Sequence, residues 1–160
     1  KGEIVSEFNN VIDFIKKKYS VAIGEQTAET IKIEIGSAMT TRHKLDFSVR
    51  GRDLGSGLPR NLTITSNEIA EALNAYLVDI ATAVQNVFNE TPPELVADIM
   101  AKGMILSGGA AQLGNLSDFF KGALGVNAYV AEEPLFCVAK GAGLILSHLD
   151  VYKRTLMDKR

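Results

Sequence analysis

The sequence is poor in the residues that build disulfide-linked or metal-bound proteins. Its 160 residues include one cysteine, Cys137, two histidines and no tryptophan. A single cysteine excludes an internal disulfide and a cysteine-based zinc site, and two histidines far apart in the sequence do not make a histidine cluster. We therefore expect no metal site. We also expect no catalytic residue, since no base is placed beside Cys137 to activate its thiol and no nucleophile motif is present.

An excess of one charge and long apolar runs are also missing. The chain has 17 lysines and arginines against 19 aspartates and glutamates, for a formal charge of −2, whereas a nucleic-acid surface needs a basic excess. No apolar run reaches the roughly 18 residues of a membrane span, and the first residues lack the pattern of a signal peptide. With 46% hydrophobic residues, the composition predicts a soluble, intracellular α/β domain without nucleic-acid partners.

The first part of the chain contains two helix patterns. Apolar residues between Ile4 and Tyr19 recur every three or four positions, which predicts one amphipathic helix. A second helix is predicted over residues 26–35, and Gly36 ends it.

A hairpin and a long helix are predicted next. Apolar and polar residues alternate over 45–50, and a second alternating stretch at 61–65 follows a loop with glycine and proline, which predicts an antiparallel pair of strands. Thr65 with Glu68 three residues later fits a capping box. The helix that begins there is predicted to stop before Pro92.

From Gly103 onward the pattern is that of alternating strands and helices. Met104–Leu106 is a short, fully apolar run, typical of a buried parallel strand, and residues 126–131 predict a second strand. This order predicts a parallel sheet with helices packed on it. A final helix is predicted to turn its apolar residues inward: Cys137, Val138, Leu144, Ile145 and Leu149.

The strongest local signal is a run of small residues between a strand and a helix. The run from Ser107 to Ala111, called the glycine turn below, contains Gly108 and Gly109. Glycines let a backbone approach a ligand closely, and helix-start amides favour an anion. The spacing is neither that of a P-loop nor that of a dinucleotide fingerprint. On spacing alone, a tight turn that binds nothing explains the motif as well.

A second signal is a pair of charged residues on the second helix. Glu29 and Lys32 lie three positions apart and project from one helix face. They could reach a ribose hydroxyl and an adenine edge. From spacing alone, a surface ion pair is the favoured explanation.

Several stretches together carry a resemblance that no one motif provides. They include IGEQTAETIK at 23–32 and GMILSGGAAQLGNL at 103–116. The others are residues 34–38, 49–54, 57–59, 66–69, 91–95, 97–99, 130–135 and 137–139. Taken in their order along the chain, these stretches resemble the MreB family of bacterial actin homologues over nearly the whole chain.

The resemblance implies an α/β, actin-like (ribonuclease-H-like) ATPase fold, in which two large domains flank a nucleotide cleft. The chain is expected to be the second domain. Residues 1–20 and 74–150 would form its inner lobe, with helices on a mixed sheet, and residues 21–73 a small α+β outer lobe. Residues 151–160 would be a polar tail. Apolar surface is expected along the inner lobe, where the first domain would pack.

The resemblance also implies a nucleotide site, with ATP as the ligand and Mg-ATP in the intact protein. The residues expected to contact the nucleotide are Glu29, Thr30, Ile31, Lys32, Gly108, Gly109, Ala110 and Ala111. Ala110 stands where the family usually has glycine, which would cost about 1 kcal/mol if that position needs a positive φ. The family's phosphate loops and catalytic residues lie outside the matching stretches. The chain alone is therefore not expected to hydrolyse ATP.

In function, the family forms cytoplasmic filaments at the inner face of the cell membrane that direct cell-wall synthesis and rod shape. The implied partners are other copies of the chain, head to tail, the N-terminal actin-like domain and cell-wall elongation proteins. Membrane contact is expected only through the other half of the intact protein, the N-terminal actin-like domain. Two alternatives are the nucleotide-binding half of a heat-shock-chaperone-type ATPase and that of a sugar-kinase-type enzyme.

Overall fold

The computed structural model describes residues 7–149, so the predicted tail at 151–160 and the start of the first helix pattern at Ile4 lie outside the described residues. In chain order the helices are α1 (Glu7–Tyr19), α2 (Glu25–Ile35), α3 (Ser66–Glu90), α4 (Pro93–Lys102), α5 (Leu116–Leu124) and α6 (Cys137–Ser147). The strands are β1 (Val21–Ala22), β2 (Asp46–Asp53), β3 (Pro59–Thr65), β4 (Met104–Leu106) and β5 (Ala128–Val130). Short 3₁₀ turns span Gly109–Gln112 and Pro134–Phe136.

The predicted hairpin is confirmed. Strands β2 and β3 pair antiparallel, with Val49 opposite Leu62, and both of these side chains are buried. The short strand β1, which sequence patterns did not reveal, adds to the outer edge of β2. At the tip, the Asp53 carboxylate accepts a hydrogen bond from the Ser56 amide at 2.9 Å and pairs with Arg60 at 3.0 Å.

One apolar core joins α1, α2 and α3 to this sheet. Its largest fully buried side chains come from these elements: Val11, Ile15, Val21, Ile31, Ile64, Ile69 and Leu73. The predicted capping box at the start of α3 is present, because the Thr65 side chain accepts from the Glu68 amide while the Glu68 side chain accepts from the Thr65 amide. Helix α3 runs unbroken through residues 73 and 74, and the division into lobes at that point stays a prediction.

The second sheet confirms the parallel pairing predicted for the later part of the chain. Strand β4 pairs in parallel with β5, with Ile105 opposite Tyr129. The prediction that β4 is buried is wrong, since Ile105 is 74% exposed. Burial of a parallel strand needs a layer on each face, and within residues 7–149 this sheet has two strands.

The inward face predicted for the last helix is also wrong. In α6, Val138 is 84% exposed and Leu144 is exposed as well, while Cys137 and Ile145 are half-buried. Leu149, two residues after the end of α6, is also exposed. The spacing of apolar residues identified the apolar face of this helix, but spacing does not show whether another element covers that face. The exposed side chains confirm the expectation of an uncovered apolar surface in this part of the molecule.

Within residues 7–149, no helix is both long enough and apolar enough to cross a lipid bilayer.

Candidate functional site

The two motifs singled out in the sequence meet at one cavity. A cavity of about 560 Å³ is lined by Glu29 and Lys32 from α2 and by Gly109 and Ala110 from the glycine turn. These residues are far apart along the chain, so tertiary packing alone brings them together. The remaining lining residues are Phe8, Ile33, Gln112, Leu113 and Leu135.

Helix α2 provides one wall of this cavity, the α2 wall, formed by Glu29, Lys32 and Ile33. The opposite face of the helix anchors it, since Ala28, Ile31 and Ile35 are buried in the core. Residues three or four apart share a helix face, so anchoring one face leaves Glu29 and Lys32 directed outward.

Two of the predicted site residues on α2 do not line the cavity. Ile31 is completely buried in the core. The Thr30 hydroxyl donates a hydrogen bond to the backbone carbonyl of Gln26 at 2.9 Å, and its side chain is exposed. The segment from Glu29 to Lys32 therefore contributes its first and last residues to the cavity.

Lys32 has an aromatic neighbour that sequence reasoning had placed only in an apolar stripe. Its ammonium nitrogen lies 5.3 Å from the centre of the Phe8 ring, within the range of a cation–π interaction. Phe8 therefore belongs both to the apolar face of α1 and to the cavity lining. Its position in a helical stripe gave no sign of this second role.

The glycine turn and the two residues after it form a second wall, the turn wall, made of Gly109, Ala110, Gln112 and Leu113. The chain reverses at Gly108, whose φ of 88° and ψ of 173° lie in a region that glycine alone occupies readily. The Gly108 amide donates to the Pro134 carbonyl at 2.8 Å, which fixes the turn to the segment before α6.

The other two predicted residues of the turn lie outside the cavity lining. Gly108 carries the positive φ of the turn, and Ala111 is buried and contributes instead to a neighbouring open cavity. The cost foreseen for Ala110 does not arise. Within this turn the positive φ falls on Gly108, and Ala110 has no positive φ.

The two walls are joined at one end of the cavity by the residues that follow each of them. The Ala38 amide donates to the Gly114 carbonyl at 2.7 Å, and the Gly114 amide donates to the Gly36 carbonyl at 3.2 Å. The Asn115 side-chain amide donates to the Ser37 hydroxyl at 2.8 Å. These contacts connect the end of α2 to the end of the glycine-turn segment.

Chemically, the cavity offers a carboxylate, an ammonium group and several apolar side chains. The lining residues that lie within 7–149 include no nucleophile paired with a base. Among the described residues, no three histidine, cysteine, aspartate or glutamate side chains lie close enough together to hold a metal ion. Apolar side chains with a few charged groups in a concave cavity are the usual form of a small-molecule binding site.

Comparison with solved structures defines the class of fold. MreB5 of Spiroplasma citri bound to ADP matches with a TM-score of 0.86 and 30% identity, over 94% of this chain and 45% of that one. The same protein bound to AMPPNP gives a TM-score of 0.87. The MamK double helical filament matches with a TM-score of 0.68 at 17% identity, over 81% of this chain and 40% of that one. The fold is therefore actin-like, as predicted.

Sequence comparison then gives the family. The sequence model described as MreB/Mbl protein matches residues 5–154. The cell shape-determining protein MreB of Escherichia coli K12 is 44% identical over 149 residues, which is 93% of this chain and 43% of that protein. The chain belongs to the MreB/Mbl family, which confirms the resemblance and disfavours the chaperone and sugar-kinase alternatives. It spans less than half the length of these relatives.

Proposed function

We propose that this chain forms the adenosine side of an ATP cleft in an actin-like protein that determines cell shape. The observation that carries the proposal is the meeting of Glu29 and Lys32 with Gly109 and Ala110 at one cavity. Its volume of about 560 Å³ lies within the usual range for small-molecule sites. The Spiroplasma citri relative with ADP or AMPPNP bound supports a nucleotide as the ligand.

The lining suits a nucleoside in two respects. Ile33, Leu113 and Leu135 offer apolar surface to a flat base, and the absence of a Cβ at Gly109 lets the ligand approach the backbone. The Glu29 carboxylate can accept hydrogen bonds from ribose hydroxyls, and the Lys32 ammonium can donate to acceptor nitrogens of a purine.

ATP hydrolysis is not assigned to these residues. Phosphoryl transfer needs groups that position the phosphates and Mg²⁺, and among the described residues the cavity lining contains one carboxylate, Glu29, and no hydroxyl side chain. In the proposed arrangement this chain holds the nucleoside, and the phosphates and Mg²⁺ of Mg-ATP are held by other parts of the protein.

The direct test is an NMR titration of the ¹⁵N-labelled chain with ADP. We expect weak binding, with the largest amide shifts at Glu29, Lys32, Gly109 and Ala110. Glu29→Gln should weaken binding on the order of tenfold, equivalent to about 1.4 kcal/mol. Glu34→Gln is the matched control, because Glu34 lies on the same helix but does not line this cavity. Millimolar ADP that shifts none of these amides, or shifts only distant ones, would refute the site.

We further propose that the protein assembles head to tail into filaments in the cytoplasm, at the inner face of the membrane, together with cell-wall elongation proteins. Membership of the MreB/Mbl family supports this, and the fold it shares with MamK builds a double helical filament in that protein. Contacts of this kind propagate without closing. Electron microscopy of the longer protein with ATP tests it. Sugar-dependent ATP turnover without filaments would contradict it.

A further inference from the structure

We propose that the hydrogen bond between Ser37 and Asn115, called the clasp below, sets the spacing between the α2 wall and the turn wall. Neither residue lines the cavity, so both would be positioning residues that act on a ligand through Glu29, Lys32 and the glycine turn. The inference rests on the proposed adenosine site.

The hydrogen bonds of the clasp are short, and they join an exposed residue, Asn115, to a buried one. Asn115 Nδ2 donates to Ser37 Oγ at 2.8 Å across a separation of 78 residues. Ser37 is 6% exposed, and its hydroxyl donates onward to the Met39 carbonyl at 2.6 Å. The same oxygen also accepts from the Met39 amide at 3.3 Å, so the hydroxyl uses its one donor and both of its acceptor positions, which fixes its orientation.

The conformation of Asn115 shows that this side chain serves a tertiary contact. Asn115 is the N-cap residue of α5, where an asparagine side chain ordinarily accepts a hydrogen bond from an amide of the first turn. Here it makes no such bond, and its backbone has the left-handed values φ 57° and ψ 17°. Asparagine tolerates the left-handed region better than most residues with a side chain, and here its side-chain amide binds Ser37 in place of the helix cap.

The clasp has leverage because it sits where both walls end. Ser37 follows Gly36, the C-cap of α2, and a helix is a rigid element, so a displacement of its end also moves the residues along it. Leu113, which lines the cavity, is two residues before Asn115. A change in the Ser37–Asn115 separation would therefore move the α2 wall relative to the turn wall.

Two variants remove the clasp in different ways. Asn115→Gly removes the side-chain amide while glycine keeps the left-handed backbone without strain. Ser37→Ala removes the acceptor. The matched control is Asn67→Ala, which deletes two hydrogen bonds to the Thr41 backbone, of 2.9 and 3.0 Å, at a place away from the cavity lining.

The first measurement needs no ligand. In both clasp variants, the amides of Ala38 and Gly114, which bridge the two walls, should exchange with solvent on the order of tenfold faster, the change expected for about 1.4 kcal/mol of lost protection. A nitroxide on Gln112→Cys, in a chain carrying Cys137→Ser, should also broaden the Lys32 amide to a different extent once the clasp is removed. Unchanged exchange and unchanged broadening in Asn115→Gly would overturn the proposal.

The second measurement is the dissociation constant for ADP. It should rise on the order of tenfold in both clasp variants and stay unchanged in Asn67→Ala. Faster exchange with an unchanged ADP affinity would overturn the positioning role. If the unmodified chain gives no response to ADP, the proposed adenosine site fails, and the exchange and broadening experiments still decide whether the clasp sets the spacing of the walls.

Discussion

The phenol hydroxyl of Tyr19, the last residue of α1, donates a hydrogen bond to a carboxylate oxygen of Glu68 in the first turn of α3. The ammonium of Lys18 lies 2.9 Å from the same oxygen. The other oxygen accepts from the Thr65 amide at 2.7 Å. One carboxylate, 15% exposed, thus ties the end of one core helix to the start of another.

This arrangement makes the ionised form of Glu68 favourable in the folded state. Burial raises the pKa of Glu68, but hydrogen bonds from Tyr19, Lys18 and Thr65 outweigh burial and lower the pKa from 4.5 to about 2. The unfolded chain takes up this proton at a higher pH than the folded one. The stabilisation is therefore fully present above about pH 4.5 and is lost as the pH falls towards 2.

We expect Glu68→Gln to lower the free energy of unfolding by roughly 1.5–3 kcal/mol at pH 7, the range for hydrogen bonds to a charged group. The difference from the unmodified chain should shrink between pH 4.5 and 2. Urea unfolding at several pH values measures both effects. Asp79→Asn, an exposed change on the same helix, is the control. It should neither lower the free energy of unfolding at pH 7 nor change its dependence on pH. If the loss of unfolding free energy in Glu68→Gln did not depend on pH, the lowered pKa of Glu68 could not be its cause.

Tyr19 predicts a second pH dependence, at the alkaline end. Burial, the hydrogen bond to Glu68 and the charge of Glu68 raise the pKa of Tyr19 from 10.0 to about 12. The unfolded chain loses this proton first, so stability is retained below pH 10 and falls between pH 10 and 12.

Tyr19→Phe should be less stable than the unmodified chain at pH 8, by about 1 kcal/mol for the lost hydrogen bond, and should lose less stability between pH 10 and 12. Thermal unfolding followed by circular dichroism gives both values. Tyr129→Phe is the control, since Tyr129 is exposed. Parallel curves for Tyr19→Phe and the unmodified chain above pH 10 would disprove the assignment.

Gly108→Ala tests which residue of the glycine turn needs to be glycine. The space around a Cβ at this position is open, so the cost comes from the backbone alone. At φ 88° and ψ 173° we expect a loss of about 1–3 kcal/mol in the free energy of unfolding. Ala110→Gly should change it by less than about 1 kcal/mol, because Ala110 has no positive φ. Equal losses of stability from Gly108→Ala and Ala110→Gly would show that Gly108 is not the residue of the turn that needs to be glycine.

Gly36→Ala tests the close approach at the end of α2. An added Cβ would lie 2.1 Å from the Lys32 carbonyl oxygen and 2.9 Å from Leu113 Cδ1. The overlap should cost at least about 1–3 kcal/mol in a urea titration. Gly122→Ala, inside α5 where an added Cβ meets nothing within 4 Å, should instead stabilise by about 0.5–1 kcal/mol. Stabilisation by both changes would show that the end of α2 accepts a Cβ at residue 36 without cost.

Much of the local structure could be predicted from short-range patterns. The hairpin, the capping box at Thr65 and the helix ending at Gly36 were all predicted because these features depend on residues within a few positions of one another. The position of Glu29 and Lys32 on one helix face was predicted for the same reason, since helical spacing alone puts them there.

The errors share one physical cause. The apolar residues of β4 and α6 were assigned to a core, yet Ile105 and Val138 are exposed. An apolar pattern reports that a surface avoids water. It does not report which element, if any, lies against it.

The sequence by itself determined the order of the helices and, apart from β1, of the strands, together with the turn residues and the family, because these depend on local interactions and on residue identity along the chain. The tertiary structure alone decided that α2 meets the glycine turn at one cavity, that Ile31 belongs to the core and not to that cavity, and that Asn115 leaves its own helix uncapped to bind Ser37. Contacts between such distant residues follow from how the helices pack, and no local pattern encodes that packing.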